Sequence, residues 1–197
     1  MRLGIFGGSF DPVHNAHLAL ARACQQQAAL DEIWFTPAAM QPLKQTGPHA
    51  TNDERRAMLE LAVGDEPSWR VCTMELDRGG VSYTVDTLRA IHAQRPNDQL
   101  FFLIGADALA DVPHWNQPAE IFRLATALVV RRAGDRALDL SSLARLCPAA
   151  NPPLPISMPA LDISSTEIRR RIWSGEAIDE LVPQAVVEFI LAHNLYR

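Results

Sequence analysis

Two histidines three residues apart, His14 and His17, follow the pair Gly7-Gly8 in the stretch GIFGGSFDPVHNAH, residues 4–17. Neither glycine carries a Cβ, so backbone there can approach a ligand closely. A strand that passes through glycines into a helix aims the helix's first N–H groups at an anion. At this spacing His14 and His17 share a helix face if the helix begins near residue 14. Their rings would then stand at its positive end as hydrogen-bond donors to phosphate. The plain alternative is a tight turn with two surface histidines. The stretch is neither a Walker loop nor a G-x-G-x-x-G fingerprint. A second candidate lies far along the chain, in ISSTEIRRRI at 163–172. Ser165 and Thr166 bring hydroxyls and N–H groups to a helix start, and Arg169 follows one turn later, an arrangement suited to a triphosphate. Alone, it reads more readily as a capped helix with a solvated arginine face. The two stretches together favour a phosphate site.

Bringing residue 14 to residue 169 requires a scaffold that returns repeatedly to one edge. Apolar runs at 2–7, 32–37, 69–76, 99–105, 126–132 and 154–158 read as strands. Helical patterns occupy 15–30, 51–63, 84–95, 164–175 and 183–195. Thr51 with Glu54, and Ser164 with Glu167, have capping-box spacing, and Gly175 marks a helix end. The strands are continuously apolar, as expected when helices cover both faces. The expected fold is α/β, a Rossmann-like three-layer sandwich with a mainly parallel sheet. We expect one domain over 1–197, with 160–197 a C-terminal helical part carrying the Ser-Ser-Thr element. Ligands in such sheets bind beyond the carboxyl ends of the strands. That rule selects the loops at 8–14, 38–50, 77–84, 105–118 and 132–137.

Composition narrows the function further. Charged residues make up 21% of the 197 and the net charge is −5, so non-specific nucleic-acid binding is not expected. Cys24, Cys72 and Cys147 form no C-x-x-C pair, which argues against a zinc cluster or disulfide framework. No apolar run reaches the roughly 18 residues of a membrane span. A soluble cytoplasmic protein is expected, with no membrane or nucleic-acid partner. Lys44 is the only lysine among 18 basic residues.

GGSFDPVHNAH resembles the nucleotidyltransferase signature G-x-F-D-P-x-H-x-G-H, with Ala16 in place of the signature's last glycine. ISSTEIR resembles that superfamily's I-S-S-T-x-I-R element. VSYTVDTL (81–88), IGADALADVPHW (104–115) and the ending VPQAVVEFILAHNLYR resemble the nicotinate-nucleotide adenylyltransferase family. VVRRAG (129–134) is similar to its V-x-x-R-P-G stretch, with Ala133 replacing proline. PAAMQPLKQ (37–45) matches its loop after the second strand, with Leu43 replacing a histidine. The resemblance covers essentially the whole chain.

What it implies is transfer of the adenylyl group of ATP to nicotinate mononucleotide, in line and with no covalent intermediate. The implied catalytic residues are His14, His17 and Arg169. The implied ATP-binding set adds Gly7, Gly8, Ser9, Phe10, Gly105, Asp107, Ser165 and Thr166. Lys44, Thr84, Trp115 and Arg132 would contact the mononucleotide. Trp115 would stack on the nicotinate ring, Thr84 would donate to its carboxylate and Asp107 would hold the adenosine ribose hydroxyls, although Thr84 reads equally as a helix N-cap and an N-cap is the plain alternative for Asp107. Mg²⁺ would arrive with ATP. Pantetheine-phosphate adenylyltransferase, which shares the first motif, and a non-catalytic nucleotide sensor on the same fold remain alternatives. The first lacks the SYT and PHW elements.

Overall fold

A computed structural model describes residues 1–43, 46–132 and 152–197. Six strands form one sheet: β1 (Arg2–Gly8), β2 (Glu32–Pro37), β3 (Trp69–Val71), β4 (Gln99–Gly105), β5 (Ala125–Arg132) and β6 (Leu154–Met158). Their spatial order is β3-β2-β1-β4-β5-β6, and every neighbouring pair is parallel. This is the doubly wound order, in which the chain works outward from β1 in one direction and then crosses to β4 on its other side. The crossover leaves a crevice beyond the carboxyl ends of β1 and β4.

Alternate residues of the central strands feed two separate cores. Phe101 and Leu103 of β4 point to one, Leu100, Phe102 and Ile104 to the other. The first core is closed by α1 (Asn15–Gln27), α2 (Asn52–Val63), α6 (Ser165–Trp173) and α7 (Gln184–Ala192), through residues such as Cys24, Met58, Ile168 and Val186. The second is closed by α4 (Thr84–Gln94), α5 (Pro118–Leu124) and a 3₁₀ helix at Ala106–His114, through Leu88, Val112 and Phe122. The result is the expected three-layer sandwich.

Local signals explain most boundaries. The Thr51 hydroxyl accepts from Glu54 N at 3.3 Å, and Glu54 Oε2 accepts from Thr51 N at 2.7 Å, a reciprocal cap that starts α2. Ser164 Oγ accepts from Glu167 N at 3.2 Å and starts α6, and Gly175 leaves it in the left-handed region at φ 72°. Three expectations need correction. The third strand stops at Val71, and Met74–Arg78 is a short helix, α3, which turns Glu75 inward. Thr84 is the first residue within α4, whose N-cap is Tyr83. Gly105, not Asp107, caps the 3₁₀ helix.

Candidate active site

α1 begins where the loop after β1 ends, and its N-cap is His14, in extended conformation at φ −151°. His14 and His17 form the cap reciprocally, with His14 N donating to His17 Nδ1 at 3.3 Å. Their rings stack with centroids 3.6 Å apart and planes inclined by 18°. Phe10 buttresses His17 from behind, ring to ring at 5.0 Å. A ring that accepts at Nδ1 carries its proton, when neutral, on Nε2.

α6 arrives from the other end of the chain and bonds directly to the β1–α1 loop. Ser165 Oγ donates to the Pro12 carbonyl at 2.9 Å, and Arg169 Nη1 donates to the Asp11 carbonyl at 2.7 Å. The segment after α6 adds a clasp, since Asn15 N and Nδ2 donate to the carbonyls of Leu181 and Glu180 at 2.9 and 3.0 Å. Between these elements opens a cleft of about 410 Å³. Ser9, His14, His17, Asp107, Thr166 and Arg169 line it. Ser165 lines it too, as does Ala16, the second residue of α1. The volume lies within the range of small-molecule sites.

Asp11 is the hub of this arrangement. Its carboxylate is buried, 4% exposed. Oδ2 accepts from His49 N at 2.8 Å, and Oδ1 accepts from Ala50 N at 3.0 Å and from the Tyr196 hydroxyl at 2.9 Å. Arg169 Nη1 stands 3.8 Å from Oδ2. Burial alone would raise the pKa of Asp11. The backbone donors, the Tyr196 hydroxyl and the Arg169 charge more than offset this and hold it below the ordinary carboxylate value. A second buried charge lies beneath. Arg55 of α2, fully buried, donates from Nη1 to the Ser9 carbonyl and from Nη2 to Asn52 Oδ1, both at 2.7 Å.

The cleft thus unites His14, His17, Ser9, Asp107, Ser165, Thr166 and Arg169. Phe10 is buried in the core, 1% exposed, and Gly7 and Gly8 are the last residues of β1 rather than part of the lining. Gly105 does not line the cleft either, but a Cβ there would collide with the Asp107 carboxylate, so the glycine makes room for that side chain. Thr84 and Trp115 lie outside the lining; Trp115 packs against the second core, 6.3 Å from the Phe102 ring. Lys44, Ala133 and Cys147 lie outside the described residues, as does the side chain of Arg132.

Asp11, Arg55, Glu75 and Tyr196 are not among the residues that the sequence analysis assigns a role. Arg55 had a legible signal, since it falls on the inward face of α2 with Met58 and Leu59.

A family model described as cytidylyltransferase-like matches residues 5–171. A probable nicotinate-nucleotide adenylyltransferase of Roseiflexus sp. (strain RS-1) is 45% identical over 197 residues, covering 99% of this chain and 98% of that one. One from Thermus thermophilus is 43% identical over the full length of both chains. The chain belongs to the nicotinate-nucleotide adenylyltransferase family. In solved structures, the fold recurs in the Plasmodium falciparum nicotinic acid mononucleotide adenylyltransferase complexed with NaAD, with a TM-score of 0.79 at 21% identity over 99% of this chain and 97% of that one. In this chain the first and last motifs meet by direct hydrogen bonds beyond the carboxyl ends of the strands. Among the described residues no group of three or more His, Cys, Asp or Glu could hold a metal ion, and no helix is long and apolar enough to cross a membrane.

Proposed function

We propose that this protein transfers the adenylyl group of ATP to nicotinate mononucleotide, giving deamido-NAD and pyrophosphate, in NAD biosynthesis. Full-length identity of 43–45% to proteins named for that reaction carries the choice of substrate. The cleft supplies a physical basis for the phosphate half.

A phosphate oxygen of the mononucleotide attacks the α-phosphorus of ATP in line. The bond to the bridging oxygen breaks, and pyrophosphate leaves with the electron pair. The attacking group is already ionised near neutral pH, so no base has to remove a proton. Catalysis is therefore placement plus charge stabilisation. His14 and His17 donate to the α- and β-phosphate oxygens, His17 through Nε2. Ser165, Thr166 and Arg169 hold the departing pyrophosphate. Backbone from Gly7 to Phe10 lies along the phosphates, and Asp107, given space by Gly105, accepts from the ribose hydroxyls.

Thr84, Trp115, Lys44 and Arg132 form the mononucleotide side. Mg²⁺ would be carried in by ATP rather than held in a cage of protein carboxylates. The lining fits an ion held chiefly by ATP and water: Asp11 has both oxygens engaged, and Asp107 is the one other carboxylate among the described lining residues. The ion neutralises charge on the phosphates when present.

Pyrophosphate release from ATP, measured with nicotinate mononucleotide, its amide and phosphopantetheine as acceptors, tests the reading. We expect release with the first at the highest kcat/KM. Preference for phosphopantetheine, or no release with any acceptor, would overturn it.

A further inference from the structure

We infer that Tyr196 is a positioning residue for adenylyl transfer, its hydroxyl holding the Asp11 carboxylate so that Arg169 is presented to ATP. The inference rests on the adenylyl-transfer reading above.

Tyr196 lies beyond α7, 185 residues from the aspartate it bonds. Its backbone is left-handed, at φ 65°. A bulky residue keeps that conformation only where its surroundings fix it. Here the ring packs against the first core and the hydroxyl donates to Asp11 Oδ1 at 2.9 Å. Burial and the neighbouring carboxylate both push the phenol's pKa up, so it remains a neutral donor.

The consequence lies in how Asp11 divides its contacts. Ala50 N and the Tyr196 hydroxyl occupy Oδ1, and His49 N occupies Oδ2 with the His49 ring Nδ1 3.4 Å from the same oxygen. With both oxygens so occupied, the carboxylate stays 3.8 Å from Arg169 Nη1 instead of closing into a short ion pair. Arg169 instead gives that nitrogen to the Asp11 carbonyl at 2.7 Å and sets Nη2 near Thr166 Oγ1 at 3.4 Å, on the cleft wall. Without the hydroxyl, Oδ1 would lose a donor. The carboxylate would turn toward the guanidinium, and a charge-assisted pair would draw Arg169 away from the phosphates.

The test is Tyr196→Phe in steady-state kinetics on the full chain, each substrate varied against a saturating level of the other. We expect KM for ATP to rise about tenfold, the scale of one hydrogen bond to a charged acceptor. KM for nicotinate mononucleotide should change less than about twofold, because the affected groups lie on the ATP side. A simple loss of stability would not separate the two substrates. In an Asp11→Asn background the same substitution should add less than about twofold, since partners in one network are not additive. An unchanged KM for ATP, an equal rise in both KM values, or a full effect in the Asp11→Asn background would overturn the inference. Failure of the wild-type chain to release pyrophosphate would instead sink the adenylyl-transfer reading.

Discussion

His17 has little room to turn: His14 stacks on one side at 3.6 Å, and Phe10 and Phe6 stand at 5.0 and 5.9 Å. Such fixing matters because a donor aimed before the reaction costs no reorganisation during it. His17→Ala should therefore lower kcat by about two orders of magnitude, the usual loss for one transition-state donor. Pyrophosphate release by the purified, folded variant checks this, and near-normal turnover would remove His17 from its role. Glu75 offers a different residue-scale prediction. It is buried, accepts from Thr87 Oγ1 at 2.6 Å and also bonds Ser82, whose Oγ accepts from Ala39 N at 3.0 Å. Burial pushes its pKa above the ordinary value, against the smaller pull of those hydroxyls and Arg78. A carboxyl that binds its proton more tightly when folded contributes stability fully below the unfolded pKa of about 4.3. That contribution is lost as pH rises through the folded value. Glu75→Gln cannot titrate, so its thermal midpoint should gain on the wild type as pH rises from about 4 toward 7. A gap that stays constant across that range would contradict the assignment.

At the scale of elements, α2 does more than close a core. Its capping box sets the helix start just after Ala50, whose N–H bonds Asp11, and its first inward residue is Arg55 on the Ser9 carbonyl. Thr51→Ala should cost about 1 kcal/mol, typical of a lost N-cap, read as a lower unfolding free energy in urea. An unchanged midpoint would mean that the cap contributes nothing. This cap was legible in the sequence because Thr51 and Glu54 form a local pattern. So were the central strands, which are long apolar runs, and the helix carrying Ser165, Thr166 and Arg169. The third strand was not. WRVCTMEL is apolar enough to continue as a strand, and what ends it is tertiary: Glu75 turns inward to reach Thr87 and Ser82. The role of Asp11 was hidden for the same reason, since its partners come from residues 49, 50, 169 and 196.

Across the whole molecule, the described cleft gathers the first and last motifs, while Trp115 lies outside it against Phe102. If the two substrates meet across the crevice beyond β1 and β4, their binding energies should separate by mutation. Trp115→Ala should raise KM for nicotinate mononucleotide about tenfold, the scale of one lost aromatic stack, and leave that for ATP within about twofold. Titration of each substrate against the variant checks the split, and a rise confined to ATP would reverse the assignment of sides. The bonds that join the motifs also bear on how the site comes into being. Ser165 reaches back 153 residues to Pro12, Arg169 158 residues to Asp11, and Tyr196 185 residues to the same aspartate. Contacts of such long range form late, since the intervening chain must first be ordered. Synthesis delivers β1 and the paired histidines well before the residues that complete their cleft. The chain can thus pair much of its sheet before the cleft is closed, and on the adenylyl-transfer reading its affinity for nucleotide arises only when these far-reaching bonds have formed.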